Sequence, residues 1–178
     1  MNRNDGSRGA AAGDDQFHGQ LIRLDEDAML LPNSAVLDVV SVDDLRVRTS
    51  PPSWLLGHIP WRQQEVPVVS MEGLLGREVP ARMRRSRVVI INSYGSQLHA
   101  GMFAVVSQGH PHLMTLNRVA IKAATSPPDA ADNEHVACRV TIANAQAFIP
   151  DLEVIESSLS SVVVDSASEF ETPWEPSF

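Results

Sequence analysis

Apolar positions along this chain recur mostly with a two-residue beat and only in short stretches with a helical one. Val136, Cys138, Val140 and Ile142 alternate with Ala137, Arg139 and Thr141, the pattern of a strand with one buried face. The run "RVVIINS" (87–93) is apolar throughout and ends in "SYGS", which predicts a strand buried on both sides, then a turn at Gly95. "LHAGMFAVVS" returns on the far side of that turn, and earlier "QLIRL" and "AMLLP" flank the acidic turn "DED". Helical signals are brief: "PNSAVLDVV" after Pro32, "SMEGLLG" after Val69 and "PDLEVIESSL" after Ile149. Ser70 and Asp151 are suited to cap the last two, since each offers a side-chain oxygen to unpaired backbone N–H groups.

Set in order, the elements repeat. The first half reads as strands over 21–24, 28–31, 58–61 and 65–69, then a helix. The second reads as strands over 87–92, 98–106, 136–142 and 146–149, then a helix, and each half has an irregular segment before its third strand. Residues do not match between the halves, so the repeat is one of architecture. Many short strands and few long helices predict a mainly β fold of two linked barrels, about five strands each, because closure removes exposed edges. The folded body spans 20–164, with halves at about 20–80 and 81–164. Residues 1–19 read as a flexible arm and 165–178 as an acidic, disordered tail.

One hairpin stands out. Gln63 and Gln64 take the place of a two-residue loop between strands Gly57–Trp61 and Glu65–Val69. They are not the Asn-Gly pair such loops favour, which predicts a longer or bulged turn. Pro60 and Pro67 lack the N–H a ladder needs, so both belong at edges or bulges.

Composition narrows the function classes. With 178 residues, 43% hydrophobic and 20% charged, the chain can bury a sizeable core. A net charge of −8 argues against a nucleic-acid partner. Half of that charge lies in the last fourteen residues, at Asp165, Glu169, Glu171 and Glu175, so the body is only mildly acidic. Cys138 is the sole cysteine, which rules out an internal disulfide and suits a reducing compartment; its neighbours predict a buried small hydrophobe. The amino terminus has no signal-peptide core, and no apolar run approaches the roughly 20 residues that cross a bilayer. The expectation is a cytoplasmic protein without membrane insertion.

The stretch "GHIPWRQQEVPVVSMEGLLG" resembles the hallmark segment of the CheW family of chemosensory adaptors, through Gly57, Arg62, Pro67, Val68, Leu75 and Gly76. Trp61 stands where the family has leucine, Gln63 where it has glycine and Ser70 where it has aspartate. Upstream "PPSWLLG" and downstream "ANAQAFIPDLEVI" resemble the family's approach to that strand and its closing strand and helix. The second half departs from the family: after its second strand a Val-Asp pair is expected, and Val105 has no aspartate beside it. In this the chain is more similar to divergent, ChpC-like proteins of type IV pilus chemosensory systems than to the flagellar adaptor. The resemblance implies two five-stranded SH3-like barrels with intertwined halves and no catalytic step. It also implies binding to the regulatory domain of a CheA-type histidine kinase, to a methyl-accepting chemoreceptor tip and to other CheW-like proteins. The alternative is a small-molecule-binding or enzymatic β-barrel sharing only the architecture, which a deep enclosed pocket would favour. A member that has lost kinase coupling is a third reading, prompted by Val105.

Candidate chemistry follows from single residues. Arg62 beside Trp61 on a hairpin can stack on the indole and offer paired hydrogen bonds to a partner carboxylate; equally, it can tie its own loop. Trp61, Gln63, Gln64 and Trp54 complete the candidate partner surface, although either tryptophan also suits a core. His110, Pro111 and His112 with His99 lack the frame of a metal site, and no metal or cofactor is expected. "RMRRSR" (82–87) reads as a solvated link between the halves, and "DED" (25–27) as a solvated turn. No nucleophile–base pairing or glycine-rich phosphate loop is present. The tail "TPWEPSF" places Trp174, Glu175 and Phe178 in an order similar to the Trp-Glu-x-Phe tether of some chemoreceptors, with Pro176 altering the spacing. It is either an anchor that orders on binding or a segment that docks back on the body.

Overall fold

A computed structural model describes residues 16–48, 52–81, 85–95, 97–98, 100–124 and 133–168. The first half holds β1 (Phe17–Arg23), β2 (Ala28–Pro32), β3 (Val36–Ser41), β4 (Arg46–Val47), β5 (Leu55–Trp61), β6 (Gln64–Val69) and helix α1 (Met71–Leu74). The second holds β7 (Arg87–Asn92), β8 (Met102–Ser107), β9 (His112–Leu116), β10 (Ile121–Ala123), β11 (Val136–Ile142), β12 (Ala145–Pro150) and helix α2 (Leu152–Ser168). Two six-stranded sheets result, in the orders β10-β11-β12-β2-β1-β9 and β3-β7-β8-β6-β5-β4. The protein is mainly β, with the two-barrel fold its sequence implies.

The repeat extends to the pairing scheme. Advancing each strand of the first half by six turns the second sheet's order into the first's, with β3-β7-β8-β6 matching β9-β1-β2-β12. Each half therefore keeps four strands together and lends its first hairpin to the other half's sheet. Among the described residues, the lent hairpins join through two parallel contacts, β2 with β12 at Met29↔Phe148 and β8 with β6 at Ala104↔Val68 and Val105↔Val69.

This exchange sets the burial pattern. Strands β2, β7 and β8 of the lent hairpins lie between a barrel interior and the space between sheets, so both of their faces are apolar, whereas β1 keeps exposed and half-buried polar positions. Val89 and Ile91 of β7 and Phe103 and Val105 of β8 join the central cluster with Ile22, Met29, Leu31, Phe148, Ile155 and Leu159. Their alternates Val88, Ile90, Ala104 and Val106 fill the second barrel with Ile59, Val66 and Val68. Leu30 fills the first barrel with Leu116, Val140, Ile142 and Ala147. Val105, where the family resemblance calls for an Asp nearby, is fully buried at the parallel joint.

Two buried carboxylates hold the lent hairpins. Glu72 on α1 accepts the Asp25 N–H at 3.1 Å and the Ser70 hydroxyl at 2.7 Å. Glu156 on α2 accepts the N–H groups of Tyr94 (2.9 Å) and Gly95 (3.0 Å). In both halves, then, the closing helix grips the turn of that half's own first hairpin. Gly95 is required by contact, since a Cβ there would overlap the Glu156 carboxylate. Ser70 and Asp151 cap as expected, accepting from Gly73 N (3.3 Å) and Val154 N (3.1 Å).

Several expectations change. The "PNSAVLDVV" stretch is a 3-10 turn at Asn33–Ala35 and then strand β3, because Val36–Ser41 pairs with the β-branched run of β7. The segments read as irregular hold β3, β4, β9 and β10, which supply each sheet's outer strands. The amino-terminal arm gives way to β1 at Phe17, where pairing with Leu116 begins. Cys138 is exposed, not buried: a register shift interrupts β11 between Val136 and Cys138, and β10 covers β11 only from Val140 onward. In the "DED" turn Asp25 and Glu26 are exposed as expected, but Asp27 is drawn in, accepting from Arg77 (3.3 Å) and Arg139 (3.4 Å). In the basic stretch Arg85 is exposed while Ser86 is buried, and 82–84 lie outside the described residues.

Two predictions follow from this packing. Replacing Glu156 with Ala strands the Tyr94 and Gly95 N–H groups and is expected to cost roughly 2–4 kcal/mol in urea unfolding; Gly95→Ala should be destabilising through the same contact. The second concerns pH. His135 is buried, its Nδ1–H donating to Asn133 Oδ1 (3.0 Å) and its Nε2 accepting from Ser158 (3.1 Å). Burial lowers the pKa of His135, and also of His58, below the usual histidine value. The unfolded chain then binds more protons in this range, so stability is maintained above about pH 6.5 and falls as pH drops toward the depressed folded values. His135→Gln should flatten part of that slope in melts taken between pH 5 and 7.

Candidate functional site

The rim of the second sheet carries the most developed surface constellation. Strand β5 pairs with β6 from Leu55↔Val69 to Trp61↔Gln64, so the reversal falls on Arg62 and Gln63. Both have positive φ, 46° and 65°, the geometry of the two-residue turn that matches strand twist. The loop is thus one residue earlier than Gln63–Gln64, with no extra length, and Gln64 opens β6. Left-handed backbone costs a residue with a side chain about 1–2 kcal/mol. The equivalent turn between β11 and β12 uses Ala143 and Asn144, at 47° and 73°.

Counting from the closing pair Trp61↔Gln64, Pro60 and Pro67 both fall at pairs that exchange no ladder bonds. Neither proline therefore breaks the β5–β6 ladder. At the other end of β5, Gly57 (φ 144°) lies under β4, and a Cβ would overlap the Arg46 carbonyl oxygen. The hallmark glycine and both prolines are thus explained by backbone geometry.

Three side chains interlock at the tip. Trp61 is half-buried against the second barrel's core, and its Nε1–H donates to Asp38 Oδ2 at 2.9 Å. The Arg62 guanidinium lies over the indole, 4.3 Å from the ring centre, a stacking worth about 0.5–1 kcal/mol at an exposed position. Asp38 also accepts the Val39 N–H at 2.8 Å. Its carboxyl is held below the usual aspartate pKa by the Trp61 hydrogen bond first, then by Val39 N–H and the Arg62 charge, against an opposing effect of burial. Because β3 and β4 are the sheet's two outer strands and β5 runs past β4, the Trp61–Asp38 bond closes the barrel across its open side. Arg62 is consequently fixed on a rigid platform, with Gln63 and Gln64 exposed beside it.

The other sequence-derived candidates are placed differently. Trp54 is at the far end of β5, about 20 Å along the strand from the tip. It packs on the central core, its carbonyl accepts the Ser70 N–H at 2.8 Å, and its Cβ crowds Gly73. Trp174, Glu175 and Phe178 lie outside the described residues, as does His99. His110 accepts from Arg87 Nε at 3.1 Å. Among the described residues, no three His, Cys, Asp or Glu side chains gather into a metal-binding group, and no helix is long and apolar enough to cross a membrane. Asp38 was not legible as a site residue, because its segment carries the apolar spacing of a helix.

Beside α1 lies a groove of about 870 Å³, lined by Leu45, Val47, Leu56, Val79 and Val106 together with Arg48. It is open to the surface rather than enclosed, and its carboxylate, Glu72, is committed to internal partners.

A family model described as the CheW-like domain matches residues 18–158. The crystal structure of scaffolding protein TtCheW from Thermoanaerobacter tengcongensis superposes with a TM-score of 0.63 at 17% identity, over 76% of this chain and 84% of that one. No curated protein matches significantly.

Glycine at position 63 relieves the left-handed strain without touching the Trp61–Asp38 bond. Gln63→Gly is expected to raise the unfolding free energy by about 1 kcal/mol in urea titrations. Trp61→Phe should return the Asp38 pKa toward its ordinary value, read from carboxyl carbon shifts across an acid titration.

Proposed function

This chain belongs to the CheW-like domain family, and we propose that it is a non-enzymatic adaptor that couples chemoreceptors to a CheA-type histidine kinase. The family match across residues 18–158 carries the reading, and the hairpin tip supplies its physical means. A scaffold must hold partners in a fixed register, which calls for surface groups that do not relax when a partner leaves. Arg62 meets that requirement: its backbone is locked in a tight turn and its side chain is stacked on an indole that is itself bonded to Asp38.

The partners are the regulatory domain of the kinase and the tip of a methyl-accepting receptor, with other CheW-like proteins as neighbours in a cytoplasmic array. Arg62 offers a carboxylate-reading fork, Trp61 an aromatic face, and Gln63 and Gln64 adaptable amides. We assign the output to a type IV pilus pathway, on the strength of the departures at Gln63 and Val105. The carboxyl-terminal aromatics Trp174 and Phe178, with Glu175, would add a tethered contact.

Titration calorimetry of the purified chain with kinase regulatory domains and receptor-tip fragments from its host tests the reading. Binding to both is expected, and Arg62→Ala should weaken at least one contact about tenfold or more while the melting temperature stays within a degree or two. Failure to bind any regulatory domain or receptor tip would sink the adaptor role. Unimpaired twitching in a deletion strain would remove the pilus assignment alone.

A further inference from the structure

Three arginines and a histidine from three stretches of the chain converge at one corner of the fold. Arg87 opens β7 and is paired with Ser107 at the end of β8. The next residue, Gln108, donates its N–H to the Arg23 carbonyl at the end of β1 (2.8 Å). The turn that follows carries His110, whose Nε2 accepts from Arg87 Nε at 3.1 Å. Arg85 stands two residues ahead of Arg87 and, like Arg23 and His110, is exposed.

The frame under this cluster is fixed. The buried Ser107 hydroxyl donates to the Gly109 carbonyl at 2.7 Å, which holds the turn against β8. Arg87 Nη1 donates to the Ser86 carbonyl at 2.8 Å. With Nε on His110 and Nη1 on Ser86, the guanidinium of Arg87 is oriented, and its Nη2 remains for an outside acceptor.

The charge of the cluster is unbalanced. Among the described residues, Arg23, Arg85 and Arg87 pair with no carboxylate, whereas Arg46, Arg77 and Arg139 each do. The acids nearest along the chain and the neighbouring strand do not close the gap. Asp43, just beyond the Ser41 that pairs with Arg87, accepts the Ser41 hydroxyl at 2.7 Å. Asp25, two residues past Arg23, is exposed and forms no ion pair among the described residues. On a chain with a net charge of −8 this local excess of base is the exception. Like charges gathered without counter-charge raise the free energy of the free protein, and a partner of opposite sign relieves it.

We infer that Arg23, Arg85, Arg87 and His110 form a docking surface for an acidic, carboxylate-rich segment of a partner protein. Net charge decides the kind of partner. Fields at physiological salt reach only about 8 Å, so a short acidic segment meets this cluster alone. A broad anionic face, such as a lipid surface or nucleic acid, meets the negative charge of the whole chain. The guanidinium forks suit carboxylates, which they bind through paired hydrogen bonds. The cluster is also separate from the hairpin tip: Arg87 is three residues along β7 from Ile90, the partner of Asp38, or about 10 Å.

The test titrates the full chain with a hexaglutamate peptide at about 50 mM salt, where screening is weak, and follows backbone amide shifts. The largest shifts are expected at Arg23, Arg85, Arg87 and His110. Arg23→Ala combined with Arg85→Ala alters two exposed positions and should keep the wild-type melting temperature while weakening the peptide about tenfold. Arg46→Ala combined with Lys122→Ala removes the same charge elsewhere and should change the affinity by less than about twofold. Absence of shifts at millimolar peptide, shifts centred on Arg46 and Arg62, or equal weakening by the two double variants would overturn the inference. So would inorganic phosphate giving the same shifts at equal concentration, or sedimentation of the chain with phosphatidylserine vesicles that the Arg23→Ala, Arg85→Ala variant abolishes. Neither kinase nor receptor enters these readouts, so they stand apart from the test of the adaptor reading.

Discussion

Each half of this chain lends its first hairpin to the other half's sheet, and most of the architecture follows from that exchange. Three of the four lent strands, β2, β7 and β8, have barrel interior on one side and the other sheet on the other, and they are apolar on both faces. Val88–Ile91 and Phe103–Val106 satisfy this with alternate residues assigned to different cores. The cost is a long way for each hairpin turn to be held from home. Glu72 and Glu156 do this from the closing helices, bringing a buried charge to backbone N–H groups that would otherwise lack an acceptor. The carboxylates are therefore structural fasteners at the point where the two halves interlock.

The hairpin tip shows the same economy on the surface. Trp61 closes the second barrel through Asp38, and the bond that completes the fold also stiffens the base on which Arg62 lies. Stability and presentation are coupled there, so a substitution at Trp61 affects the barrel and the surface together. Arg62 and Gln63 can change more independently, because their side chains face outward from a turn whose backbone is set by the strands below.

Much of this was legible in the sequence, for identifiable reasons. Continuous apolar runs marked β7, and the repeated order of strands and helices announced two similar units. Ser70 and Asp151 advertised their helices through capping chemistry. What escaped notice depends on contacts distant along the chain. Val36–Ser41 has helical spacing but becomes a strand because β7 offers it an edge. Cys138 has the right parity for burial, yet a shifted register and a short neighbouring strand leave it in water. Asp27 lies in an acidic turn that composition assigns to solvent, but Arg77 and Arg139 arrive there only after folding. At the candidate site, the arginine and tryptophan could be picked out in advance, whereas Asp38, 23 positions earlier, could not.

The crossed hairpins also impose an order on biosynthesis. As the chain leaves the ribosome, the second sheet has all its strands once Ser107 emerges, but the first must wait for Pro150, some 43 residues later. At about 5–20 residues per second, β1 and β2 spend several seconds with one barrel finished and the other missing. Leu30 then faces water, because Leu116, Val140, Ile142 and Ala147 have yet to be made. That interval is where a nascent chain of this design is most exposed to wrong partners and most in need of a chaperone.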